Sequence, residues 1–167
     1  MIVTILLSLW ASPIFIIETI GALLLWAFNQ IKPIKVYTHP KLPYAWAWLF
    51  YVRPNTLLQK YMDARGWKGW SRGNIVVVRE DTLVARPAIP LHELRHVWQI
   101  MVLGIFKPII SIPTTWAYHI RYGAKLGYWL NPFEQDCYRF SGESELMNRR
   151  IKELQCPRHR SPSVPNR

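Results

Sequence analysis

From Met1 to Gln30 the chain reads MIVTILLSLWASPIFIIETIGALLLWAFNQ, with no Lys or Arg and one acidic residue, Glu18. A helix rises about 1.5 Å per residue and the hydrocarbon core is about 30 Å thick, so this run predicts a transmembrane helix over residues 1–31. Pro13 predicts a kink, because it removes a backbone donor and crowds the preceding turn. Glu18 then needs a partner on another helix, or a place near the interface from which it can snorkel. A cleaved signal peptide fits less well: it carries basic residues before its apolar stretch, and here the first basic side chain is Lys32. Lys32, Lys35, Lys41 and Arg53 all follow the run. The positive-inside bias therefore predicts a single-pass membrane protein, its N-terminus outside and its remainder cytoplasmic.

The remainder has room for one compact domain of the 167 residues, and nothing larger. Nine Trp, eight Tyr and six Phe exclude disorder for all but short ends. Cys137 and Cys156 are too few for a disulfide framework and form no CxxC pair, which excludes a Cys-rich zinc module. The formal net charge of +11 invites a nucleic-acid reading, but the basic residues are dispersed and no nucleic-acid motif is present. Anionic lipid headgroups account for the same excess in a chain with a membrane segment.

Along the chain, residues 32–55 are expected to form a juxtamembrane linker, KPIKVYTHPKLP, followed by the interfacial aromatic run YAWAWLFYV. A polar helix is predicted over 56–65, a Gly and Trp turn region over 66–73, and a strand over Asn74–Arg79 (NIVVVR). Leu91, Leu94, Val97, Trp98, Met101 and Val102 recur at three- and four-residue steps, predicting a helix that Gly104 ends. Residues 105–116 are apolar, but Pro108 and Pro113 break them, which disfavours a second span and leaves an interfacial or membrane-dipping segment. Asn131-Pro132 opens another helix, with Asn as the cap and Pro at the first helical position. A charged helix from 144 to 154 precedes a basic, Pro-rich tail, 156–167, expected to be disordered. The expected class is α+β, mostly helical, with a short sheet beside the active helix of a domain spanning 56–155.

The chemistry sits in His92-Glu93-Leu94-Arg95-His96. Residues four apart on a helix share a face, so His92 and His96 can reach one ion, and Zn2+ suits two neutral imidazoles. Glu93 can accept the proton of a water whose pKa the metal lowers. The third ligand has to come from another element. Glu134 is favoured, because a rigid Asn-Pro fixes its direction, with Asp136, Glu143 and Glu145 as the other acids downstream. Against this stands a capping box, in which Glu134 would bond back to the amide of Asn131.

PLHELRHVWQ at Pro90–Gln99, followed by GYWLNPFEQDCY at Gly127–Tyr138, resembles the small single-domain gluzincin zinc metallopeptidases called minigluzincins, some of which occur in bacteria and their phages. The resemblance covers roughly 73–138 and does not reach the N-terminal segment. It implies that His92, His96 and Glu134 bind Zn2+, that Glu93 is the general base, and that Gln99 supports His96. Where that family commonly has a small residue, this chain has Cys137, which is expected to pack as a small hydrophobe. Tyr118, His119, Tyr122 and Tyr128 lie between the two motifs as candidate oxyanion donors. The function expected is a membrane-anchored zinc peptidase acting on a peptide or protein substrate. The competing expectation is a non-catalytic membrane or virion structural protein built on a zincin-like domain.

Overall fold

The computed structural model describes residues 2–155; the tail expected to be disordered, 156–167, lies outside the described residues. The class is α+β and mostly helical, with a small mixed sheet.

The apolar start forms two helices, α1 (Ile2–Trp10) and α2 (Ser12–Ala27), bent by 76° at the break. This corrects the expectation of one helix over residues 1–31: the kink expected at Pro13 is a full break between two helices. Pro13, in the first turn of α2, cannot donate to the carbonyl one turn back and its ring crowds that carbonyl, so the chain turns at the fully buried Ala11. Among the described residues no single helix is long and apolar enough to cross a membrane; the bent pair passes together, by length and composition alone. Glu18 finds its partner within the chain, 3.7 Å from Arg72.

Residues 32–55 are also corrected. They form a hairpin, β1 (Ile31–His39) and β2 (Leu42–Val52), in place of a linker and an interfacial segment. In YAWAWLFYV the alternate residues Ala45, Ala47 and Leu49 are buried, the period-two pattern of a strand with one face inward. β2 then pairs in parallel with β4 (Ile75–Val78), and β4 pairs antiparallel with β3 (Gly69–Arg72), giving the order β1-β2-β4-β3. All four β4 residues are buried, as befits a central strand, and they sit where NIVVVR predicts a strand. The hairpin supplies half the sheet, so the expected boundary at residue 55 divides a single structural unit.

α3 (Leu57–Arg65) starts at Thr56, whose hydroxyl accepts from the Gln59 amide, and stops at Gly66 in the left-handed conformation. The short α4 (Glu80–Ala85) leads into α5 (Ile89–Leu103), which packs on the sheet through Leu94, Val97 and Met101. α6 (Phe106–Tyr122) runs unbroken through both prolines expected to interrupt it. Pro108 lies in its first turn, where no amide is needed, and Pro113 costs a single interior hydrogen bond. α7 (Ala124–Leu130) folds back on α6, then α8 (Pro132–Phe140) and α9 (Ser144–Gln155) complete the described residues.

The α6–α7 contact is close because residue 127 has no side chain: a Cβ there would fall 2.5 Å from the Tyr118 carbonyl oxygen. Since both obstacles are backbone, Gly127→Ala is expected to destabilise the fold by roughly 1–3 kcal/mol, measured as a lowered Tm.

Candidate metal centre

α5 enters the core with Pro90 in its first turn and has a continuous buried stretch from Ile89 to Leu94, so His92 and Glu93 are carried inside the molecule. The two imidazoles stand one turn apart, ring centroids 5.2 Å from each other. α8 faces them. Asn131 caps it by accepting from the Phe133 amide, which aims the first turn, and Glu134 with it, at α5.

The Glu134 carboxylate lies between the rings, Oε2 at 3.5 Å from His92 Nε2 and Oε1 at 3.4 Å from His96 Nε2. The capping-box alternative is thereby excluded, for the Asn131 amide donates to the Tyr128 carbonyl. A charge-assisted hydrogen bond closes to about 2.7–2.9 Å, so both separations are long for one. Two donors at about 2.1 Å from a tetrahedral zinc lie about 3.4 Å apart, which is the spacing found. Glu134 Oε2 is buried and has no hydrogen-bond partner among the described residues, as a carboxylate oxygen aimed at a cation site would be. The donor set thus fits zinc: two imidazole nitrogens and one carboxylate, leaving a position for water.

The trio whose donor atoms all lie within 4.8 Å of one another is a different one: His92, His96 and Cys137. The Cys137 sulfur, however, sits 3.3 Å from Nδ1 of His96, the nitrogen on the other side of the ring from Glu134. One imidazole cannot aim both nitrogens at one ion, so Cys137 and Glu134 are alternatives at His96. The carboxylate is preferred, because it meets the same Nε2 atom of both histidines. Cys137 is fully buried, as expected of a small hydrophobe, and in addition touches the ring it packs against.

Gln99 joins Cys137 on that side, its Oε1 3.2 Å from His96 Nδ1. The Gln99 amide nitrogen in turn donates to Asp136 Oδ2 at 2.9 Å, and Arg95 grips Asp136 with two bonds of 2.8 and 3.0 Å. This chain, Arg95–Asp136–Gln99–His96, cross-links α5 to α8 and fixes the ring that presents Nε2. Asp136 is therefore in a supporting position, while Glu143 is held by Arg86 and is not brought to the imidazoles. Glu145, in the first turn of α9, has no polar contact with them.

The facing groups are of complementary charge. Burial raises the Glu134 carboxyl, but the facing imidazoles outweigh it and hold the group well below the usual carboxylate range. Burial opposes charge on His96, yet Cys137 and Glu134 beside it favour charge and win, leaving the ring well above its ordinary value of 6.5.

A cleft of about 820 Å³ reaches this site at His92 and Glu93. Its walls include His92, Glu93, His119, Tyr128 and Tyr138, together with Gly69 of β3. A Cβ on Gly69 would fall 2.9 Å from Glu93 Oε1, so the bare backbone leaves the room that carboxylate occupies. Of the four candidate donors, His119 and Tyr128 line the cleft, whereas Tyr118 and Tyr122 pack on each other, centroids 5.8 Å apart. His119 Nε2 is buried without a partner among the described residues. Tyr138 was missed in the sequence. Its ring lies 4.4 Å from that of His92 and its hydroxyl 3.4 Å from that of Tyr128. The signal for it was present, since Tyr138 follows Glu134 by one helical turn. Burial pushes the Tyr128 hydroxyl well up and the Tyr138 hydroxyl up, so both keep their protons as donors.

No protein-family model matches the chain, and comparison with curated proteins and with solved structures finds no match either.

Three measurements follow from the geometry. Metal analysis of the purified chain is expected to give about one zinc per molecule; His96→Ala and Glu134→Gln lose most of it, while Cys137→Ser retains it. Asp136→Asn or Gln99→Ala is expected to weaken affinity by about 10–100-fold, read by competition with a chromophoric chelator. Because a proton on His96 occupies the place of the cation, affinity is expected to fall with decreasing pH, starting above 6.5. Affinity that stays constant across that range would show that His96 does not take part.

Proposed function

We propose that the chain is a zinc-dependent peptidase of the gluzincin type. The observation that carries this reading is the Glu134 carboxylate set at 3.5 and 3.4 Å from the two Nε2 atoms, with Glu93 beside His92 on the wall of a cleft. The apolar α1–α2 pair supports attachment to a membrane, as a bent pair instead of a straight span.

His92, His96 and Glu134 would hold the ion. When bound there, zinc supplies Lewis acidity to a water and to a scissile carbonyl. Glu93 follows the first ligand on α5 and is buried in the cleft wall, where its carboxylate can take the proton of the attacking water and deliver it to the leaving amine nitrogen. Tyr128 and Tyr138, which keep their hydroxyl protons, are the donors placed to meet negative charge developing on the carbonyl oxygen. β3 is the edge of the sheet, and an extended peptide added along it would pass Gly69 and therefore Glu93.

Glu93→Gln separates this reading from a non-catalytic structural protein. Zinc content is expected to be unchanged and peptide hydrolysis to fall by roughly 10²–10⁴-fold, followed with a quenched fluorescent peptide library. Gly69→Ala, which crowds the Glu93 side chain and the Ile89 side chain beside it, is expected to lower kcat with zinc retained. If cellular function survives Glu93→Gln undiminished, the domain acts as a structural component.

A further inference from the structure

In a water-soluble fold a surface helix turns its apolar stripe inward and its polar face to solvent. α6 does the reverse. Phe106, Ile109, Ile112, Trp116 and Ile120 recur at three- and four-residue steps along one face, and all are exposed, Trp116 by 68% and Ile120 by 79%. Polar residues of the same helix point inward. Lys107 is buried over the Phe133 ring at 3.4 Å, Thr115 accepts from the Asn131 side chain, and His119 lines the cleft.

α1 extends this surface. None of its residues is buried, and its end meets the start of α6, Trp10 against Phe106 with centroids 6.0 Å apart. α1 carries no charged residue. At the far end of the α6 stripe stand the exposed Arg121 and Lys125, and the chain as a whole carries a formal charge of +11. An apolar strip edged by tryptophan and followed by cations matches the layered chemistry of an anionic bilayer surface: acyl chains below, phosphates above.

We infer that α1 and the outer face of α6 lie in the plane of an anionic membrane surface, so that the cleft, which shares α6, opens beside the headgroups and takes membrane-proximal peptide segments. The docking stands on the exposed stripe alone; the statement about substrate rests on the peptidase reading.

The test uses the full chain and flotation with vesicles of phosphatidylcholine, with or without phosphatidylglycerol. Ile109→Asp combined with Trp116→Asp is expected to reduce partitioning onto the anionic vesicles by about tenfold or more. Arg121→Glu combined with Lys125→Glu should weaken binding only where phosphatidylglycerol is present. Val84→Asp, at a position 88% exposed on α4, is the control and should change nothing. Partitioning unaffected by both double variants overturns the proposal, and so does a dimer that the apolar pair dissociates without any effect on vesicle binding. Zinc measured in the same samples keeps the two readings apart: lost flotation in a chain that never binds zinc supports the docking and sinks the peptidase, and the opposite combination does the reverse.

Discussion

A buried carboxylate between two imidazoles organises this molecule. Glu134 is carried on α8 and the histidines on α5, so their attraction joins two helices that the chain separates by some forty residues. Removing a carboxylate from water is costly unless a positive charge replaces the lost solvation. A proton on His96 can serve, and so can a divalent ion. The separations of 3.4 and 3.5 Å are better suited to the ion, since a proton would draw nitrogen and oxygen into a shorter bond.

That arrangement is braced from behind. The far nitrogen of His96 is engaged by Gln99 and Cys137, and Gln99 is itself tied through Asp136 to Arg95. Every member of this chain lies on α5 or α8, so the same contacts that hold the helices together also orient the ring. His92 is held differently, by edge contact with the Tyr138 ring, and its Nδ1 has no hydrogen-bond partner among the described residues. The two imidazoles are therefore unequal. His96 is fixed by hydrogen bonds, His92 by packing.

Around this centre the fold places surfaces of opposite character. β3 offers a free sheet edge to the cleft, α7 closes over α6 through a glycine contact, and α6 presents an apolar stripe away from the protein. One helix thus has a polar side facing the chemistry and an apolar side facing out. An exposed apolar stripe of this kind marks a surface suited to an apolar partner.

The two motifs of the candidate site were legible in the sequence because their geometry is local. A four-residue step fixes the His92–His96 relation within one helix, and Asn131-Pro132 fixes the direction in which Glu134 leaves its own. NIVVVR was legible as a strand for a similar reason, being an uninterrupted β-branched run. What depends on a distant partner was hidden. YAWAWLFYV is a strand because β1 and β4 flank it, and Arg95 meets Asp136 only once α8 lies across α5. Likewise, hydropathy marked residues 1–30 as apolar, while the 76° bend that separates α1 from α2 follows from Pro13 and from the sheet on which α2 packs. Local spacing and capping act through a few neighbouring dihedrals and so can be read from the order of residues. Strand pairing, the facing of one helix toward another and the side of α6 left uncovered are decided by contacts between residues far apart in the chain, which only the folded arrangement brings together.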